Sequence, residues 1–268
     1  MSSITSIASG IAAWDIGLFG PRVAGGRPYV VAVVGAASGI GRAAAAFLAE
    51  IGCSVAALDP AADGLKSLAA ENGAIRTHVV DALDEGSIAE GFAAVARELG
   101  PLDALVNCAG ITGTTNVPAH AVALADFDRV CALNLRAALM LSQAVLPGML
   151  ARGYGRVLHV ASIAGKEGNK GMTAYSASKA GLIGLVKSMG KDYAESGVTV
   201  NALAPAVVRT PLVEALPQAT VDYMTEKIPM RRCGELREAA SCIAWIISPA
   251  CSFTTGFTFD LSGGRATY

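Results

Sequence analysis

The chain has 268 residues, 53% of them apolar, and a formal net charge of −1. That length and apolar fraction suffice for one large α/β core, and the near-neutral charge excludes the basic footprint of a nucleic-acid-binding surface. The six cysteines, Cys53, Cys108, Cys131, Cys233, Cys242 and Cys251, show no Cys-x-x-Cys pairing and no histidine spacing suited to zinc. They read as reduced, mostly buried thiols of a cytoplasmic protein, with no metal site expected.

Residues 1–27 lack the basic start of a signal peptide, and Asp15 interrupts their apolar run. They read as an extension that packs on the surface, meets a partner subunit or stays disordered, ahead of a single domain at 28–268. Tyr29-Val-Val-Ala-Val-Val34 is a continuous apolar, β-branched run of strand length. Further strands are expected at 53–59, 75–80, 103–107, 156–161, 198–203 and 256–260. Helical signals fall between them, at 39–51, 64–72, 84–99, 126–152, 173–196 and 236–248. The uncharged stretch 239–259 has the length of a membrane span. Pro249, the polar 252–255 cluster and Gly256 break it into helix, loop and last strand, so no span is expected.

Strand and helix in alternation predict an α/β fold, a Rossmann-type doubly wound parallel sheet of about seven strands with helices on both faces. Ligands of such a sheet bind at the carboxyl ends of its strands. Gly35, Asp59, Asp81, Asn107, Ser162 and Pro205 all fall at those ends.

Two motifs carry the chemistry. The first is Gly35-Ala-Ala-Ser-Gly39-Ile-Gly41, between the first strand and an Ala-rich helix. Strand, glycine turn and helix form the setting of a dinucleotide fingerprint, although the spacing is G-x-x-x-G-x-G rather than G-x-G-x-x-G. Free N–H groups at the helix start suit a pyrophosphate. The second motif is Tyr175 and Lys179, which share a helix face at i and i+4. A neighbouring ammonium favours the ionised phenol, and a phenol so tuned can exchange a proton with an alcohol or carbonyl oxygen. Ser162 offers a hydroxyl to the same oxygen.

In this order, the motifs resemble those of the short-chain dehydrogenase/reductase family over nearly everything after residue 28. Asn107-Cys-Ala-Gly110 matches the family's Asn-Asn-Ala-Gly, with Cys108 in place of the second Asn, where packing is the favoured role. Pro205-Ala206-Val-Val-Arg-Thr210 matches Pro-Gly-x-x-x-Thr, and Ala206 in place of glycine requires only a negative φ.

The resemblance implies hydride transfer between a nicotinamide cofactor and a secondary alcohol or ketone. Tyr175 is then the general base or acid. Lys179 lowers its pKa and holds the nicotinamide ribose, Ser162 orients the substrate oxygen, and Asn134 holds a water linking Lys179 to solvent. Gly35, Ser38, Gly39, Ile40 and Gly41 are expected around the pyrophosphate, and Asp81 and Ala82 at the adenine. Asn107, Ala109 and Gly110 belong on the ribose side. Pro205, Val208 and Thr210 belong at the nicotinamide, with Tyr175 and Lys179. The carboxylate of Asp59 suits the ribose hydroxyls of NAD and repels the extra phosphate of NADP. His78, His120 and His159 lie outside this pattern and read as structural or surface residues.

Segments 113–116, 163–172 and 209–227 are expected to surround the substrate, with Lys166, Asn169, Arg209 and Arg265 as candidate contacts. The 166–169 segment, the 205–211 turn and the 260–268 end resemble those of bacterial dehydrogenases of deoxy sugar acids, which implies a small anionic substrate. The resemblance also implies a homotetramer, with helices 126–152 and 173–196 against their symmetry mates and the tail reaching a neighbouring active site. The alternatives are a 3-oxoacyl-thioester reductase, which prefers NADPH, and a catalytically silent dinucleotide-binding scaffold. The complete set Asn134, Ser162, Tyr175 and Lys179 argues against the scaffold.

Overall fold

The computed structural model describes residues 27–215 and 217–268. The expected extension therefore lies outside the described residues, except for Arg27. That residue forks onto the buried carboxylate of Asp103 at 2.5 and 2.6 Å, at the end of the sheet away from the expected site.

Seven strands, β1 (Val30–Val34), β2 (Ser54–Asp59), β3 (Arg76–Val79), β4 (Ala104–Asn107), β5 (Gly155–Val160), β6 (Val198–Pro205) and β7 (Thr258–Leu261), form one sheet in the order β3-β2-β1-β4-β5-β6-β7. Every pairing is parallel. Parallel strands covered on both faces read as unbroken apolar runs, which is the pattern of the first strand. Successive side chains point to opposite faces, so Val30, Ala32 and Val34 enter one core while Tyr29, Val31 and Val33 enter the other.

The helices are α1 (Gly39–Glu50), α2 (Ala62–Glu71), α3 (Glu85–Leu99), α4 (Leu124–Cys131), α5 (Ala137–Arg152), α6 (Ala164–Glu167), α7 (Thr173–Asp192), α8 (Pro211–Glu214), α9 (Gln218–Glu226) and α10 (Leu236–Ile246). The expected helix over 126–152 is α4 and α5 joined by a π-helical segment, Ala132–Arg136. Together Leu124–Arg152 is long and apolar enough to cross a membrane, but half of its apolar window is buried inside the fold. The stretch 239–259 is helix, loop and strand, as its breakers require.

Strand order runs outward in one direction from β1 and in the other from β4. The crevice at that switch point, beyond the carboxyl ends of the strands, is where a doubly wound sheet takes its ligand.

Candidate active site

A cleft of about 510 Å³ occupies that crevice. Gly35, Ser38, Gly39, Ile40, Gly41, Asp59, Asp81, Ala82, Ala109, Gly110 and Thr210 all line it. The glycine turn is dictated by contact. A methyl on Gly41 would stand 2.1 Å from the Gly35 carbonyl oxygen, and one on Gly35, at φ 79°, would stand 2.8 Å from Ala109 N. Ser38 begins α1 without a side-chain cap, and the first turn carries no acid. Its N–H groups therefore remain available to an anion.

The Asp59 carboxylate stands beside this turn, accepting from Ala37 N at 3.1 Å and Ala61 N at 2.9 Å. It has no ion-pair partner among the described residues. Arg42 is committed elsewhere, donating to Gly64 O and Ser67 Oγ at 3.0 Å each and pairing with Glu71 at 2.7 Å.

The cleft continues into a chamber of about 210 Å³ lined by Ser162, Tyr175, Lys179, Pro205, Val208 and Thr210, with Ile111 and Thr112 opposite. Ser162 Oγ accepts from Ala164 N at 3.1 Å, and its hydroxyl is within hydrogen-bond reach of the Tyr175 phenol. Lys179 is buried, and its ammonium donates to the Val160 carbonyl at 2.8 Å. Burial lowers its pKa from 10.5 to about 8. The ammonium lies 5.8 Å from the centre of the Tyr175 ring.

The tuning expected of that pair differs in the structure. Burial raises the Tyr175 phenol above its ordinary value, and the group drawing it back down is the Ser162 hydroxyl. The helix spacing does bring the two side chains together, but it says nothing of depth. At this depth desolvation works against both charged forms.

Asn134 is bonded to the loop after β4 and to α7. Its amide nitrogen donates to Ile111 O at 2.9 Å and Ser178 Oγ at 3.0 Å, and its oxygen accepts from Ile111 N at 2.8 Å. Both amide protons are thus committed to the protein, and the amide oxygen keeps a second lone pair. Its oxygen also abuts the cleft floor, where a methyl on Gly110 would lie 3.0 Å from Asn134 Oδ1 and 3.2 Å from Lys179 Nζ.

Asn107 is buried and lies in neither cavity lining. It binds His159 Nδ1 at 3.1 Å and Ala109 N at 3.1 Å, and so acts on the cleft through the backbone of the turn after β4.

The four expected substrate contacts are engaged within the chain. Lys166 meets Asp260 at 2.8 Å and the carbonyl of Tyr268. Arg265 meets Glu167 at 2.7 Å and Asn169 Oδ1 at 3.1 Å. Arg209 lies 3.5 Å from Glu235. The tail therefore docks on α6 of its own chain. Paired opposite charges satisfy each other, which sequence spacing cannot show for partners so distant along the chain.

A sequence profile described as Enoyl-(Acyl carrier protein) reductase matches residues 35–266. The chain is 45% identical, over 88% of its length and 94% of the relative's, to 2-dehydro-3-deoxy-L-rhamnonate dehydrogenase (NAD(+)) of Sphingomonas sp. (strain SKA58). It is 35% identical, over 88% of its length and 96% of the relative's, to 3-oxoacyl-[acyl-carrier-protein] reductase FabG of Thermotoga maritima. An actinorhodin polyketide ketoreductase variant solved with NADPH superposes at a TM-score of 0.85 with 31% identity, covering 90% of this chain and 98% of that one. The chain belongs to the short-chain dehydrogenase/reductase family. It is an oxidoreductase of CH–OH groups with a nicotinamide cofactor.

As a short-chain dehydrogenase/reductase, the protein has a cleft whose residues fit a dinucleotide. The open helix start, the Gly39 turn (φ 53°) and the unpaired Asp59 occur in the order that pyrophosphate and ribose require. Cys108 lines both cavities, and burial raises its thiol to about 12, in keeping with packing. Ala206 keeps a negative φ, since among the described non-glycine residues only Asn116 and Arg231 are positive. His159 is structural, buried between Asn107 and Ser142. The sequence reading missed Ile111 and Thr112 in the chamber wall. It also missed Ser178, which donates to Tyr175 O at 2.8 Å and accepts from Asn134, and so ties Asn134 to α7. A serine one residue before Lys179 was the available signal.

Proposed function

We propose that this enzyme uses NAD to oxidise a secondary hydroxyl of a small 2-keto-3-deoxy sugar acid, of the L-rhamnonate or L-fuconate type. The observation that carries the substrate class is the 45% identity to a rhamnonate dehydrogenase, against 35% for the acyl-thioester reductase. Asp59 supports the same reading from the cofactor side, because an unpaired carboxylate there disfavours a 2′-phosphate.

The bound nicotinamide supplies the hydride acceptor. Ser162, whose hydroxyl faces the Tyr175 phenol, turns to donate to the substrate oxygen and fixes its position. Tyr175 takes the hydroxyl proton as the carbonyl forms, and returns it in the reverse direction. Lys179 keeps two N–H donors beyond the one given to Val160, enough for a ribose hydroxyl. With a pKa of about 8 it exchanges protons near neutrality. Asn134 is a positioning residue, holding the loop at Ile111 against α7. A homotetramer in the cytoplasm belongs to the same proposal. The exposed apolar side chains Leu139 and Leu150 on α5 support assembly, and light scattering reading a mass of four chains tests it.

The functional test is NADH formation by the purified protein on a panel of 2-keto-3-deoxy sugar acids, neutral sugars and 3-hydroxyacyl thioesters. Fast turnover of an acid with NAD is expected. Turnover of thioesters alone, with NADP(H), would establish the acyl reductase instead.

A further inference from the structure

The chamber that holds Ser162 and Tyr175 is walled mostly by apolar side chains, and Lys179 is the only charged residue in its lining. Thr210, also in the lining, is occupied at the start of α8, where its Oγ1 accepts from Val213 N at 3.3 Å. One hydroxyl in the wall is left without a role, that of Thr112. Its O–H donates to Gly113 O at a long 3.3 Å, and no group among the described residues donates to its oxygen. A threonine oxygen carries two acceptor lone pairs, so this one can take an O–H from a ligand.

The backbone that presents Thr112 is pinned on both sides. Before it, Ile111 N donates to Asn134 Oδ1 at 2.8 Å and Ile111 O accepts from Asn134 Nδ2 at 2.9 Å. After it, Thr114 N donates to Asp126 Oδ2 at 2.8 Å, and Asp126 is held in turn by Arg129 at 2.5 Å. Between them Gly113 sits at φ 66°, where a methyl would stand 2.5 Å from Val130 Cγ2. A group that reads a substrate works only if its support is fixed, and here α4 and the π segment supply that support.

Substrate chemistry gives the hydroxyl a partner. In a 2-keto-3-deoxy sugar acid carbon 3 is a methylene. The 6-deoxy acids of L-rhamnonate or L-fuconate type therefore carry hydroxyls at carbons 4 and 5, and whichever is oxidised, the other is vicinal to it. A 3-hydroxyacyl thioester has no hydroxyl beside its carbinol. We propose that Thr112 is a specificity residue that hydrogen-bonds the hydroxyl next to the reacting one, so that the chamber selects vicinal diols over monohydroxy substrates. The inference rests on the sugar-acid reading above.

The test uses the full-length enzyme with NAD and three acids: 2-keto-3-deoxy-L-rhamnonate, which is a 4,5-dihydroxy-2-oxohexanoate, and the 4-hydroxy and 5-hydroxy 2-oxohexanoates, each lacking one of its hydroxyls. Thr112→Val keeps the shape of the side chain and removes the hydroxyl. It is expected to lower kcat/KM for the dihydroxy acid about tenfold, the worth of one hydrogen bond, and to lower it by less than about twofold for the monohydroxy acids. Thr112→Ser, which keeps the hydroxyl, should stay within about threefold of wild type on the dihydroxy acid. An unchanged dihydroxy-acid kcat/KM in Thr112→Val, or an equal loss on dihydroxy and monohydroxy acids, overturns the role of Thr112 while the sugar-acid function stands. So does a tenfold loss in Thr112→Ser, and this arm decides the question even if neither monohydroxy acid turns over. A wild-type enzyme inactive on all three acids overturns both.

Discussion

At Lys179 a charge that the proposed mechanism uses works against the fold. Its pKa lies at about 8 in the native protein and near 10.5 when unfolded, because burial penalises the ammonium. Between those values the unfolded chain binds more protons, so stability rises with pH through that window and the deficit is complete below it. Lys179→Met should therefore raise the melting temperature at neutral pH, read by calorimetry, while abolishing turnover. Tyr175 carries the complementary signature. With its phenol raised by burial, oxidation should accelerate with pH into the alkaline range, and reduction should fall there. Tyr175→Phe should lose at least about a thousandfold in kcat and retain NADH binding, as stopped-flow fluorescence would report. The buried His159 gives a third case. Asn107 donates to its Nδ1, so Nε2–H donates to Ser142, and burial lowers the ring from 6.5 to about 3. The unfolded chain takes up a proton that the native one refuses, so stability is complete above about 6.5 and declines as pH falls. Urea midpoints between pH 6.5 and the carboxylate range should show this slope, and His159→Gln should flatten it. The closeness of Tyr175 and Lys179 was legible, since a fixed helix spacing joins them. Their titration was not, because burial is set by β5 and the turn after β4, far from them in sequence.

Elements obey the same division. The first strand was legible because a doubly covered parallel strand must be apolar throughout, and the helix after it because its Ala-rich sequence favours helix. A helix of one turn has no period to read, so α6 and α8 escaped the pattern. The π segment escaped for another reason: its widened turn keeps a helical composition while re-aiming one side chain, Asn134, at the Ile111 backbone. Such insertions recur at functional sites. The close approach of α6 to α7 has a sharp consequence. A methyl on Gly165 would lie 2.6 Å from the Lys179 carbonyl carbon and 2.8 Å from Ala180 N. Neither is a side-chain tip that can swing away, so α6 must withdraw and carry Ser162 with it. Gly165→Ala should lower kcat by about a hundredfold, since small misplacements of reacting groups are that expensive. It should also destabilise the fold by about 1–3 kcal/mol through overpacking. Steady-state kinetics and urea unfolding on the same sample would check both.

At the scale of the molecule, the last strand and tail close the chain back onto α6. Lys166 of α6 reaches Asp260 of β7, Arg265 reaches Glu167, and the Tyr268 hydroxyl donates to Lys166 O at 2.8 Å. These contacts differ in kind from the surface pairs elsewhere. The Lys166 side chain is 9% exposed in its pair with Asp260, whereas Arg237 and Glu50 are 55% and 54% exposed in theirs. A solvated pair contributes at most about 1 kcal/mol, because water competes for both charges. A shielded one is costly to break from one side, because the remaining charge has no substitute partner. Asp260→Ala should therefore lower unfolding stability by about 1–3 kcal/mol, while Glu50→Ala should change it by less than about 1 kcal/mol. Urea unfolding distinguishes them, with a shifted midpoint at unchanged slope for Asp260→Ala. If the two variants lose equally little, Lys166 finds water when its partner leaves, and the tail does not brace the loop between Ser162 and Tyr175.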